Sequence, residues 1–255
     1  MKAWISDFDG TLRLYGKTGP YFLAEDLAAV REFQNEGGLF GICSGRSLMS
    51  LLSVMPEELK PDFCILTSGA AIVKMRKTLE FLAVKAIDST VIRDMYCRFA
   101  DSGKVYIHTT DSMYAFRRRG EALPEKVRRI LKDPDELLEL DILGMSIGTE
   151  SEAAAAQTAE QINEAFGAWV TAYQNIDYID IVRNDCSKGS GVAEARKLFG
   201  LTKLYGIGDS YNDIPLLDAV DTAFTFERSP EGVQAHADHV VKTSAEAIGI
   251  AAGEK

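Results

Sequence analysis

Five consecutive residues, Asp7-Phe8-Asp9-Gly10-Thr11, place two carboxylates two positions apart at the end of the first apolar run. Trp4, Ile5 and Phe8 read as a short buried strand, and Gly10 marks its break into a loop. Side chains two apart on a strand share a face, so Asp7 and Asp9 are expected to lean toward one site at its carboxyl end. Carboxylates that close repel, so one of them attracts a hard cation or has its pKa raised. Asp-Gly is also a common turn signal, and the pentapeptide alone divides about evenly between turn and site.

Three further segments carry polar groups at the ends of apolar runs. In Gly208-Asp209-Ser210-Tyr211-Asn212-Asp213, Gly208 permits a sharp exit and Asp209 sits at a strand tip. Asp213 reads first as a cap for the helix that carries Pro215 in its opening turn. Ser44-Gly45 ends another run, where a hydroxyl and backbone N–H groups can hold an anion. Lys188 precedes Gly189 at the entrance to a helix; a lone lysine is usually solvated, but an ammonium beside a helix N-terminus makes a good phosphate site.

The elements that must position these groups alternate. A strand at the start is followed by a helix over Ala24–Asn35, a strand Leu39–Cys43, a helix from Ser47 to Met55 and a strand Phe63–Leu66. Near the other end come a helix Ser190–Phe199, a strand Leu204–Ile207, a helix from Pro215, a strand Ala223–Phe226, a helix from Pro230 and a strand His239–Val241. Apolar strands separated by helices indicate a parallel sheet covered on both faces, with ligands at the carboxyl ends of its strands.

The block from Leu79 to Asp185 reads differently. Val105–His108 and Met113–Phe116 are neighbouring strands, then come Ile142–Ile147, a helix Ala153–Phe166, and strands Trp169–Tyr173 and Tyr178–Val182. Short connections imply antiparallel pairs, so residues 79–185 are expected to form an α+β unit inserted into a core of residues 1–78 and 186–255.

Composition narrows the class. The 255 residues, 46% hydrophobic, suffice for a real core, in one large domain or two modest ones. A net charge of −10 argues against nucleic acid or an anionic membrane as partner, so a phosphorylated ligand needs local cations. No apolar run approaches the ~20 residues of a membrane span. Cys43, Cys64, Cys97 and Cys186 have no metal spacing and read as reduced packing residues. Asp7 lies so near the start that a cleavable signal peptide would remove the motif, and a cytoplasmic location is expected. Arg117-Arg118-Arg119 suits a polyanionic substrate, but such a run is more often a solvated face.

In this order, the segments resemble the four motifs of the haloacid dehalogenase superfamily of phosphotransferases, over essentially the whole chain. Asp7-x-Asp9-Gly10-Thr11 resembles the first, Ser44 the second, Lys188 the third, and Gly208-Asp209 with Asn212-Asp213 the fourth. The insert looks like the type IIB cap of Cof-like sugar phosphatases. Ser68-Gly69-Ala70 departs from the Asn-Gly-Ala common in relatives, and Ser44 replaces the commoner threonine but keeps the hydroxyl.

The resemblance implies an α/β fold, a parallel Rossmann-like sheet core with helices on both faces plus the inserted α+β cap. It implies a phosphatase in which Asp7 attacks phosphorus and Asp9 exchanges protons with the leaving alcohol and then with water. Mg2+ would be held by the Asp7 side chain, the Asp9 backbone carbonyl and Asp209. Ser44, Gly45, Lys188 and Asn212 would hold the phosphoryl oxygens, while Arg46 reaches substrate or ties cap to core and Asp213 supports the site. The expected ligand is a small phosphorylated metabolite, most simply a sugar phosphate, and the expected state a monomer or small homo-oligomer. A sugar phosphomutase is the alternative within the family, and a non-catalytic sensor of a phosphorylated ligand the alternative outside it.

Overall fold

Short apolar runs closed by Ser or Gly become central strands, and the longer periodic ones become helices. The computed structural model describes residues 1–116 and 127–253, so Arg117-Arg118-Arg119 lies outside the described residues. In chain order the strands are β1 (Lys2–Ser6), β2 (Arg13–Gly16), β3 (Gly19–Phe22), β4 (Leu39–Cys43), β5 (Phe63–Leu66), β6 (Ala71–Lys74), β7 (Glu80–Val84), β8 (Lys104–His108), β9 (Met113–Phe116), β10 (Val127–Leu131), β11 (Gly144–Gly148), β12 (Val170–Asn175), β13 (Tyr178–Arg183), β14 (Lys203–Ile207), β15 (Thr222–Phe226) and β16 (His239–Val241). The helices are α1 (Ala24–Asn35), α2 (Leu48–Leu52), α3 (Ser89–Phe99), α4 (Glu152–Phe166), α5 (Lys188–Phe199), α6 (Ile214–Leu217), α7 (Glu231–Gln234) and α8 (Ser244–Gly253).

The larger sheet runs β16-β15-β14-β1-β4-β5-β6-β7. From β16 to β5 each pair is parallel, as expected from the alternation; β6 then folds back antiparallel on β5. Trp4 registers with Phe40 and packs on Phe33 of α1, so that face belongs to α1, which is paired with α8. Gly41 and Phe63 register on the opposite face, where Phe63 stacks on Phe199 of α5 at 4.7 Å, and α5 is paired with α6. Two helical layers thus make every central strand buried on both sides, which is why these strands are apolar throughout rather than alternating.

The chain divides into two compact units. One comprises Met1–Ser44, Pro56–Leu82 and Ser187–Lys255; the other comprises Gly45–Met55 and Ala83–Cys186, so it also takes in a segment outside the 79–185 insert drawn from sequence. The second unit holds a sheet in the order β10-β9-β8-β11-β13-β12. Its neighbours from β9 to β12 are antiparallel, as short connections require, whereas β10 lies parallel to β9. Val105, Ile107, Met145, Ile147, Ile179 and Ile181 pack with Ile92 and Met95 of α3 and with Ala155 and Ile162 of α4. Three cysteines are buried packing residues, while Cys97 is exposed; none forms a disulfide. Among the described residues no helix is long and apolar enough to cross a membrane.

Candidate active site

The carboxyl ends of β1 and β14 lie side by side, and the chain leaves both through polar loops. Asp7 continues the ladder by one bond, its N–H donating to the Ile207 carbonyl at 2.9 Å. Its carboxylate is buried, and Oδ1 accepts from Lys188 Nζ at 2.6 Å. Lys188 is the first residue of α5, whose N-cap Ser187 accepts from Ser190 N, so the helix start fixes where the lysine begins. The same ammonium donates to Asp213 Oδ1 at 2.5 Å.

Asp213 does more than the cap expected of it. Its Oδ2 accepts from the N–H groups of Asp209 and Ser210 at 2.9 and 3.0 Å, so it closes a capping box opened by Ser210; it also stands at the N-cap position of the Pro215 helix, where its side chain makes no cap bond. Both its oxygens are committed, one to an ammonium and one to backbone donors. Gly208 is needed for this closeness, since a Cβ there would lie 2.4 Å from the Cβ of Asp213.

Asp209 faces Gly10. The Thr11 hydroxyl donates to Asp209 Oδ1 at 2.7 Å, and Gly10 adopts φ +86°, with space for no side chain: a Cβ would stand 2.5 Å from Asp209 Oδ2. Thr11 and Gly10 were visible in the motif as a turn, but their service to a residue 198 positions away was not.

Strand β1 ends at Ser6, so the alternation that would put Asp7 and Asp9 on one face no longer governs residue 9. Asp9 instead directs Oδ1 to Arg13 NH1 at 3.1 Å and to the Tyr15 hydroxyl at 2.6 Å. The carboxylates that gather are Asp7, Asp209 and Asp213, with oxygens within 4.8 Å of one another. Arg13 and Tyr15 went unnoticed in the sequence; two residues apart on β2, they share a face, which is the signal that pointed to them.

Ser44 is buried at the end of β4, but its own N–H is spent on the Ile65 carbonyl at 2.8 Å and its carbonyl accepts from Ser68 N. Its amide is therefore already engaged. Thr67 and Ser68 hold φ of 48° and 47°, a left-handed conformation in which residues other than glycine are strained. Asn212 turns its Oδ1 to the Ser210 hydroxyl at 2.8 Å. Gly45 and Arg46 fall in the second unit, where Arg46 donates to the Ser50 hydroxyl at 3.0 Å.

Electrostatics follow from the charge count. Three carboxyl groups gather around the one ammonium of Lys188, with the Arg228 guanidinium also acting on Asp209. Burial, then the charge of Asp213, push the Asp7 carboxyl well above its ordinary range despite Lys188. Burial and Asp213 raise Asp209 to about 6, against the pull of its Thr11 bond. Burial alone would discharge Lys188, but Asp213 and Asp7 outweigh it and hold the ammonium on. Asp7 and Asp209 supply hard oxygen donors of the kind Mg2+ takes, whereas Asp213 already accepts from Lys188 and from two backbone N–H groups. The donor set fits such an ion.

A parallel sheet with acidic groups at its carboxyl ends is an α/β architecture that gathers its polar chemistry at one edge. The sequence matches the haloacid dehalogenase-like hydrolase family over residues 4–253, and the chain belongs to that family. Among solved structures it is similar to a HAD/Cof-like hydrolase from Plasmodium vivax, at 17% identity over 99% of this chain and 96% of that one, with a TM-score of 0.85. A haloacid dehalogenase-like hydrolase from Bacteroides thetaiotaomicron aligns at 16% identity over 98% and 99%, with a TM-score of 0.81. The HAD subclass IIB sugar phosphatase BT4131 aligns at 17% identity over 99% of both chains, with a TM-score of 0.77. Among curated proteins, none matches the sequence.

Proposed function

We propose that this hydrolase is a Mg2+-dependent phosphatase of the Cof-like type, acting on a small phosphorylated metabolite, in the first instance a sugar phosphate. The observation that carries the reading is the group of Asp7, Lys188, Asp213 and Asp209, in which three carboxyl groups converge within 4.8 Å of one another. The sugar phosphatase activity named for BT4131 agrees with it. The carboxylates of Asp7 and Asp209 and the backbone carbonyl of Asp9 would hold the ion. When bound, the ion screens the negative charge of the phosphoryl oxygens.

The remaining work belongs to the chain. Asp7 attacks phosphorus as the bond to the leaving oxygen breaks, and an aspartyl phosphate forms. Asp9 gives its proton to the departing oxygen, then takes one from the water that attacks the aspartyl phosphate, which releases phosphate and restores Asp7. Lys188, fixed by Asp213, keeps a cation beside the transferring group, and the Ser44 hydroxyl and Asn212 amide bind its oxygens. The insert of 79–185 serves as the cap that selects the substrate, with Arg46 and the residues near Asp177 to Arg183 as contacts.

Phosphate release from a panel of phosphorylated metabolites and from p-nitrophenyl phosphate tests the reading. Turnover is expected with Mg2+, lost in EDTA and lost in Asp7→Asn, which keeps the side-chain shape. A folded Asp7→Asn protein with wild-type activity, or full activity in EDTA, overturns it.

A further inference from the structure

Asp9 is the reacting group that the buried carboxylate cluster leaves to another element. That element is the hairpin β2–β3, whose strands pair with each other and form a sheet of their own. Its base is tied to the motif through Gly10 N to Arg13 O at 2.9 Å and Arg13 N to Phe8 O at 2.8 Å, and Phe22 packs its ring 5.9 Å from that of Phe8.

From this hairpin Arg13 and Tyr15 close a triangle on Asp9. Tyr15 donates its hydroxyl proton to Asp9 Oδ1 at 2.6 Å, Arg13 NH1 donates to the same oxygen at 3.1 Å, and Arg13 NH1 also donates to the Tyr15 oxygen at 2.5 Å. Every proton has a compatible acceptor, so the three contacts are mutually consistent. The Arg13 side chain is only 12% exposed, although Tyr15 is 60% exposed. A carboxylate on a loop turns freely about its last bond; two donors on one oxygen remove that freedom.

We propose that Arg13 and Tyr15 are positioning residues that hold the Asp9 carboxylate in one orientation for proton transfer. The inference rests on the phosphatase reading and adds to it a second tier of residues, carried by the hairpin. The Arg13 side chain is mostly covered, so thermal unfolding of each variant is read beside its kinetics to separate a loss of stability from a loss in the reaction.

Compare kcat/KM for p-nitrophenyl phosphate, whose leaving group departs without a proton, with that for an alkyl phosphate, whose leaving group needs one. Arg13→Leu should lose about 10- to 100-fold on the alkyl ester and less than about three-fold on the nitrophenyl ester, a share of what a general acid contributes. Tyr15→Phe should show the same split more weakly, and serves alone if Arg13→Leu does not fold. In an Asp9→Asn background either change should add nothing on either ester. Equal losses on both esters, or a loss that persists without Asp9, overturn the inference while the phosphatase reading stands. A wild-type protein that hydrolyses neither ester overturns that reading and the inference with it.

Discussion

Replacing Gly10 with alanine tests how the first and fourth motifs meet. The residue sits at φ +86°, where an L side chain costs on the order of 1–2 kcal/mol. The added Cβ would stand 2.5 to 2.8 Å from three atoms of the Asp209 carboxylate, closer than carbon and oxygen approach, so the carboxylate must move. Moving it breaks the 2.7 Å bond from Thr11, a bond to a charged acceptor worth about 1.5–3 kcal/mol. The two losses together come to roughly 2.5–5 kcal/mol, or about 5–20 °C in unfolding temperature for a chain of this size. Because Asp209 is displaced and not removed, Mg2+ should still bind, with affinity lower by about 10- to 100-fold, as when groups that orient a metal ligand are disturbed. Thermal unfolding in EDTA reads the first effect, and the Mg2+ concentration for half-maximal turnover the second. An alanine variant with wild-type unfolding temperature and wild-type Mg2+ dependence would refute the packing of Gly10 on Asp209.

Asp213→Asn must turn its amide nitrogen toward either the Lys188 ammonium or the two backbone N–H groups, all of them donors. It should lower stability by about 3–5 kcal/mol in urea unfolding, as when one partner of a buried pair is lost, and unchanged stability would count against the arrangement. Asp26 on α1 accepts from Ala245 N at 2.7 Å in the first turn of α8, and burial raises its pKa to about 6 against the pull of that bond. A carboxyl with a raised folded pKa favours the fold while protonated, so its support is whole below about pH 4 and lost as pH rises through 6. Asp26→Asn keeps the acceptor and drops the charge; it should raise the unfolding temperature at pH 7 and leave it nearly unchanged below about pH 4, and a fall at both would contradict this.

Elements bounded by their own chemistry were legible. Helix α1 and strands β4, β9 and β16 have the limits read from sequence, because apolar runs there stop at Gly, Ser or a change of period. Helix α3 went unread: Ser89-Thr90-Val91-Ile92 opens with β-branched residues, and what makes it helical is the Asp88 cap and the burial of Ile92, Met95 and Phe99 at helical spacing. Helix α8, with apolar residues nearly all round, carries little periodicity. The hairpin β2–β3 is half-exposed and lacks a buried face to reveal it. In the site, Asp7 and Asp209 were legible as types at strand ends, and Lys188 as a cation at a helix entrance. That Asp9 turns to Arg13, and that Asp213 serves both lysine and backbone, depended on where β1 stops and how the loop after β14 closes, which no local pattern encodes.

Strand β1 lies between β4 and β14. Its β4 edge is made early, since Ala3 registers with Leu39; its β14 edge waits for Leu204, a roughly five-fold longer loop. Closing the longer loop costs only about 1.5 kcal/mol more, because closure entropy grows as the logarithm of length, so the second unit burdens the first very little. Order of synthesis is another matter. A chain emerging from its N-terminus carries Asp7 on a strand with one open edge while the whole second unit is being made. Ile207, which accepts from the Asp7 backbone, and Lys188 and Asp213, which set its charge, all arrive afterwards. Asp7 is the first residue of the buried cluster to be translated and the last to gain its partners, so the cluster exists only once the core has closed.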